Sequence, residues 1–167
     1  VPDPKHPSNQ PPAPVAANPE SLNAAADMLL AAKLPMIVGG RFGIREGISQ
    51  PLAELVELLG AAYQDDKKLV CLPTGHPQNL SGDSKLRSEA DIALTLDVVD
   101  LCDFFAVGGK NHDYRAKLPK IIDFSMNTPV NYSWSHFLGQ TQPVQLQVVC
   151  DPLYGLKQLT EVVRAKL

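Results

Sequence analysis

The sequence predicts an open α/β fold, a single sheet of six parallel strands with helices on both faces. Three observations carry it. Short apolar runs alternate with segments whose apolar residues recur at helical spacing. The first run, Leu34-Pro35-Met36-Ile37-Val38, stops in Gly39-Gly40-Arg41-Phe42-Gly43, as a buried parallel strand does at the ligand-facing edge of such a sheet. Asn18-Pro19 and Asp151-Pro152 each pair a capping side chain with a first-turn proline, the start signal of a helix.

Taken in order, residues 1–17 hold Pro2, Pro4, Pro7, Pro11, Pro12 and Pro14. Proline at that density suppresses both helix and sheet and favours an extended linker. The chain starts at Val1 without an initiator methionine, so residues 18–167 are expected to be a domain excised from a longer protein. After Asn18-Pro19-Glu20, Leu22, Ala25, Ala26, Leu29 and Leu30 form one helical face, closed by Lys33 and Pro35. The strand that follows leads to a helix from about Ile48 to Leu59, faced by Leu52, Leu55, Val56 and Leu59 and ended by Gly60. Lys68–Leu72 reads as the second strand and 73–82 as a loop. Ile92–Leu96, Asp103–Gly109, Lys120–Ser125 and Val144–Cys150 read as strands three to six. The last helix starts at Asp151 and presents Leu153, Leu156, Leu159 and Val163, with Arg164 and Lys166 suiting its C-terminal dipole. Residues 127–142 carry no pairing signal.

At 167 residues and 44% hydrophobic composition, the chain is large enough for one cored domain. A formal net charge of -3 without a basic block argues against a nucleic-acid surface. The apolar runs are too short to span a bilayer, and no charged-then-apolar leader pattern opens the sequence. Cys71, Cys102 and Cys150 lie in apolar surroundings at wide spacing, which reads as buried, reduced thiols and a cytoplasmic setting.

Gly39, Gly40, Arg41 and Gly43 are the candidate ligand-binding residues. Glycine lets the backbone turn sharply with its N–H groups uncovered, and Arg41 adds a fixed positive charge, so an anion such as a pyrophosphate suits the turn. A structural strand exit, with Arg41 and Arg45 paired to surface carboxylates, explains the same residues. His76 reads as a loop histidine. His6, His112 and His136 lack H-x-x-x-H spacing, so no metal site is expected. Asp123 and Ser125 end a strand where a ribose contact or a turn cap would both fit. Asp97, Asp100 and Asp103 read as a solvated turn, and Trp134 as a packing anchor. No nucleophile–base pair is found, so no catalytic residue is expected in this chain.

Four stretches together resemble the central domain of thiamine-diphosphate-dependent enzymes, the acetolactate synthase, benzoylformate decarboxylase and benzaldehyde lyase group. They are Ala31-Ala32-Lys33-Leu34-Pro35-Met36-Ile37-Val38-Gly39-Gly40; Leu52-Ala53-Glu54-Leu55-Val56-Glu57-Leu58-Leu59-Gly60-Ala61; Pro73-Thr74-Gly75-His76-Pro77 through Gly82, ahead of Ala90-Asp91-Ile92; and Val148-Val149-Cys150-Asp151-Pro152 with its leucine-bearing helix. The resemblance covers the chain from about Asn18 to its end. It implies a Rossmann-like three-layer α/β/α fold with a six-stranded parallel sheet, of the type that binds NAD or FAD. It further implies a parent enzyme, a 2-keto acid decarboxylase or carboligase, with thiamine diphosphate and Mg2+ between flanking pyrimidine- and diphosphate-binding domains of a homotetramer or dimer. The Gly-Asp-Gly that opens the family's diphosphate pattern is absent here, so the chain is expected to be a structural module. The alternative is a nucleotide-binding module, since some members hold FAD, NAD or ADP where Gly39, Gly40, Arg41 and Gly43 would lie. Compression of the glycine-rich segment to 73–82, and Leu96-Asp97 where the family has a hydrophobic residue and glycine, imply an empty or vestigial pocket.

Overall fold

The computed structural model describes residue 6 and residues 13–44, 46–66, 69–105, 118–127 and 142–167. Helix α1 (Pro19–Leu30) starts where expected. The Asn18 side chain accepts from the backbone N–H groups of Glu20 and Ser21, and Leu22, Ala25, Ala26 and Leu29 are buried. Strand β1 (Pro35–Gly39) is buried throughout and passes into a short 3-10 turn, Arg41–Ile44. Helix α2 (Ser49–Leu59) buries Leu52, Leu55 and Val56 and ends on Gly60, whose φ of 59° is the left-handed conformation that stops a helix. Each of those buried leucines contributes roughly 1.5–3 kcal/mol.

From Gly60 the chain turns directly into the sheet. Strand β2 is Ala62–Asp65, and residues 69–72 carry no strand, which corrects the strand expected at Lys68–Leu72. The apolar signal there was one of packing: Cys71 and Leu72 are fully buried beneath the β1 exit. Strand β2 was masked in the sequence by Gln64, a polar residue that is buried because all its needs are met. Its Nε2 donates to the carbonyls of Leu80 (3.0 Å) and Asp83 (2.5 Å), and its Oε1 accepts from Arg87 Nε (3.0 Å).

The short helix α3 (Leu86–Glu89) precedes β3 (Ile92–Leu96). A second correction falls at Asp103–Gly109, read as a strand. Residues Leu101–Phe105 form a helix, α4, whose first turn is held by Asp100 Oδ1 accepting from the Asp103 N–H at 2.9 Å. Residues 106–109 lie outside the described residues. Strand β4 (Lys120–Ser125), strand β5 (Leu146–Val149) and helix α5 (Pro152–Lys166) complete the fold. Asp151 caps α5 by accepting from the N–H groups of Leu153 and Tyr154.

Among the described residues the sheet therefore has five strands, not six. Its order is β2-β1-β3-β4-β5, and every pairing is parallel. Strand β1 lies inside the sheet, flanked by β2 and β3. Alternation along the strands divides the core in two. Ile37, Tyr63, Leu94, Leu96, Ile122, Phe124 and Val148 meet α1, α2 and α5 on one face. Met36, Val38, Ala62, Ala93 and Ile121 meet residues of α3 and α4 on the other. Helix α5 comes close to the sheet because residue 155 is glycine; a Cβ there would stand 2.6 Å from Cys150 Sγ and 2.9 Å from the Phe124 ring. Residues 13–17 run along α5, with the Val15 carbonyl accepting from Asp151 N (2.9 Å) and Ala17 N donating to Gln158 Oε1 (3.0 Å).

Candidate functional site

The strand order creates a switch point. The chain leaves β1 for β2 on one side, then crosses to β3 on the other, which leaves a crevice between the carboxyl ends of β1 and β3 where open α/β sheets hold ligands. The candidate glycines lie at this edge. Gly40 N donates to Leu96 O (2.9 Å), Arg41 N to Asp97 O (3.0 Å) and Gly43 N to Gly40 O (3.3 Å). All three backbone donors are thus engaged within the chain, and the Gly39 carbonyl accepts from Asp66 N at 2.9 Å.

Packing accounts for each glycine. A Cβ on Gly39 would strike the Tyr63 hydroxyl and lie 2.9 Å from Cys71 Sγ. One on Gly40 would fall on the Asp97 carbonyl oxygen, 2.5 Å from its carbon and 2.6 Å from Val98 N, and one on Gly43 would meet Cys71 Sγ and lie 3.0 Å from Leu69 Cβ. What crowds the turn is a buried cluster, with Tyr63 donating to Asp65 Oδ1 at 2.6 Å and Cys71 N donating to the same oxygen at 3.3 Å. Burial, followed by the hydrogen bond to Asp65, pushes the Tyr63 phenol far above its ordinary range. Burial pushes the Cys71 thiol up to about 11, so it is held neutral and unreactive.

The guanidinium of Arg41 donates from Nη2 to Asp97 Oδ1 at 2.9 Å. Asp97 itself has a φ of 56°, a left-handed conformation uncommon outside glycine. This aspartate therefore faces the arginine with both its carbonyl and its carboxylate. Asp97 and Asp100 are not the solvated turn expected from their spacing: one pairs with Arg41 and the other is buried as the α4 cap.

Asp123 is 5% exposed on the opposite face. Its Oδ1 accepts from Thr95 Oγ1 (2.6 Å) and its Oδ2 from Gln147 Nε2 (2.8 Å). Burial raises its pKa, offset in part by those two bonds. Gln64, Val38, Thr95, Asp123 and Gln147 fall in one register row across the sheet. Ser125 is the turn cap, its Oγ accepting from Asn127 N at 2.9 Å. His76 pins the 73–82 loop to α2, with Nε2 3.2 Å from Glu57 Oε1 and Nδ1 accepting from Gln78 N. Arg87 ties α3 and α4 to β2. Its guanidinium lies 4.1 Å over the Phe104 ring, and Nη1 donates to Phe104 O. Arg45, His112, His136 and Trp134 lie outside the described residues, and His6 is exposed.

Sequence reading missed Tyr63, Asp65, Thr95 and Gln147, and missed that Asp97 partners Arg41. Thr95 and Gln147 act through Asp123 on the strand between them, and Tyr63 and Asp65 act through each other and through Cys71. Among the described residues no three His, Cys, Asp or Glu side chains gather to hold a metal, and no helix is long and apolar enough to cross a membrane.

No family model matches the chain. It is 30% identical, over 158 residues, to the sulfoacetaldehyde acetyltransferase of Roseovarius nubinhibens, an alignment covering 89% of this chain and 24% of that protein. The chain thus spans about a quarter of the length of this curated relative. A solved structure from Mycobacterium smegmatis, described as a thiamin diphosphate-dependent enzyme, superposes with a TM-score of 0.65 at 21% identity, over 92% of this chain and 29% of that one. Its fold is the same three-layer arrangement around a parallel sheet. With the four sequence stretches set on this sheet in the order described, the chain resembles one domain of the thiamine-diphosphate-dependent enzymes.

Proposed function

We propose that residues 18–167 are the central, non-catalytic module of a longer thiamine-diphosphate-dependent decarboxylase or carboligase acting on 2-keto acids in the cytoplasm, with 1–17 as its interdomain linker. The observation that carries the structural role is the saturation of the β1 exit. The donors of Gly40, Arg41 and Gly43 all serve the chain's own carbonyls, and the Arg41 guanidinium holds Asp97. Such a turn braces the sheet; it is not open to a pyrophosphate. The described residues do not fit thiamine diphosphate and Mg2+ either, since they form no metal-holding cluster and the sequence lacks Gly-Asp-Gly. On this reading the cofactor supplies the electron sink in the parent enzyme, bound by flanking domains in a homotetramer or dimer, and no chemical step falls to this chain. Titration calorimetry of the chain with thiamine diphosphate and Mg2+ is expected to show no binding. Micromolar affinity would overturn the reading.

A second reading keeps Gly39, Gly40, Arg41 and Gly43 as a nucleotide site for FAD, NAD or ADP. It is favoured by one observation, the position of the turn at the switch point with the Arg41 side chain 46% exposed. A yellow purified protein, or a thermal shift with FAD that vanishes in Arg41→Ala, would establish it over the first.

A further inference from the structure

We propose that Asp97 is the built-in occupant of the switch-point crevice: its carboxylate takes the place beside Arg41 that the phosphate of a ligand would otherwise take. The inference rests on the closed-turn reading above and adds to it the residue that does the closing.

Three features point to Asp97. It is one of two described non-glycine residues with positive φ, the other being Val70. That backbone state aims the main chain of residue 97 at Gly40 and Arg41, where its carbonyl accepts the Arg41 N–H at 3.0 Å. The same residue's Oδ1 then takes the Arg41 guanidinium at 2.9 Å. Second, Asp97 is rigidly held, since its own N–H donates to Phe124 O at 2.9 Å while the neighbouring Gly40 N donates to Leu96 O. Third, the carboxylate is largely covered, with the Asp97 side chain 17% exposed against 46% for Arg41.

A tethered group competes at its effective concentration, which is already millimolar for a short flexible tether and higher for a rigid one. Free phosphate at millimolar concentration therefore does not displace Asp97. Charge chemistry sets the ligand class. A guanidinium freed of its carboxylate binds phosphate or pyrophosphate through paired N–H donors. The backbone N–H groups remain engaged, so the opened site binds weakly, in the millimolar range.

The test uses Asp97→Gly, which clears the carboxylate and suits the left-handed backbone, and Asp97→Asn, which keeps the shape and removes the charge. Inorganic pyrophosphate is titrated into wild type and both variants, followed by 31P line broadening, with near-UV circular dichroism confirming the fold. At least a tenfold gain in affinity over wild type is expected in Asp97→Gly, together with loss of that gain in the Arg41→Ala/Asp97→Gly double variant. Folded Asp97→Gly and Asp97→Asn proteins that bind no better than wild type would overturn the inference and leave the module reading standing. ADP or FAD binding to the wild type would instead refute the closed-turn reading, and this inference with it.

Discussion

Gly40→Ala tests whether the β1 exit is shaped by packing. The new Cβ would fall on the Asp97 carbonyl oxygen and lie 2.5 Å from the Asp97 carbon and 2.6 Å from Val98 N. Carbon–oxygen contacts between packed backbones settle at about 3.3–3.6 Å, so one segment must move by about 1 Å. Neither moves freely, because the bonds Gly40 N to Leu96 O and Arg41 N to Asp97 O join them. Overpacking costs about 1–3 kcal/mol, and weakening those two bonds adds about 1 kcal/mol each. Stiffening of the unfolded chain returns about 0.4–1 kcal/mol. The net expectation is a loss of about 2–5 kcal/mol, which at about 2–4 °C per kcal/mol for a domain of this size lowers Tm by roughly 10 °C. Urea unfolding followed by far-UV circular dichroism measures it. Gly75→Ala is the control, with nothing within 4 Å of its Cβ and an expected change below about 0.5 kcal/mol. If Gly40→Ala also stays within that margin, the packing explanation of the glycine turn is wrong.

Other expectations test the surrounding groups. Tyr63→Phe removes the 2.6 Å bond to Asp65 and should cost about 1–2 kcal/mol in the same urea assay; an unchanged midpoint would show the cluster to be energetically idle. Asp123→Asn should be tolerated at neutral pH, because Thr95 Oγ1, 3.3 Å from Ile122 O, can donate there and accept from the new amide while Gln147 keeps its acceptor. Burial raises the Asp123 pKa in the folded state, so its stabilising contribution is full below the unfolded value of about 4 and is lost as pH rises through the folded value. Wild type should therefore gain stability relative to Asp123→Asn as pH falls from neutrality toward about 4, and a pH-independent difference would contradict the sign. Burial also lifts Cys102 above its ordinary value and Cys150 to about 12, so iodoacetamide at pH 8 should label the native chain slowly and the urea-unfolded chain fully. Fast native labelling would refute their burial.

The sequence by itself determined whatever depends on neighbours a few residues away. Asn18 and Asp151 start helices because their side chains cap N–H groups two and three residues on. The buried faces of α1, α2 and α5 follow from one-turn spacing, and Gly60 from the left-handed stop it provides. Strands β1, β3 and β4 were legible because strands buried on both faces read as largely apolar runs, the edge strand β5 from its apolar residues just ahead of the Asp151-Pro152 helix start, and the glycines of the β1 exit were legible as glycines.

Only the tertiary structure decided why those glycines are there. Tyr63, Cys71 and Asp97 crowd them from other parts of the chain, and sequence spacing does not record approaches of that kind. The second strand went to Ala62–Asp65 because Leu80, Asp83 and Arg87 satisfy Gln64 at long range, which makes burying a polar side chain affordable. Phe104 and Phe105 looked like strand but sit in α4, where Asp100 caps the turn and Arg87 grips the Phe104 carbonyl. Local periodicity assigns an element its type only when its partners are implied by the same few residues. At β2 and at the Arg41–Asp97 pair the deciding partner lies elsewhere in the chain, so folding alone supplied it; at α4 the local Asp100 cap is joined by the distant Arg87.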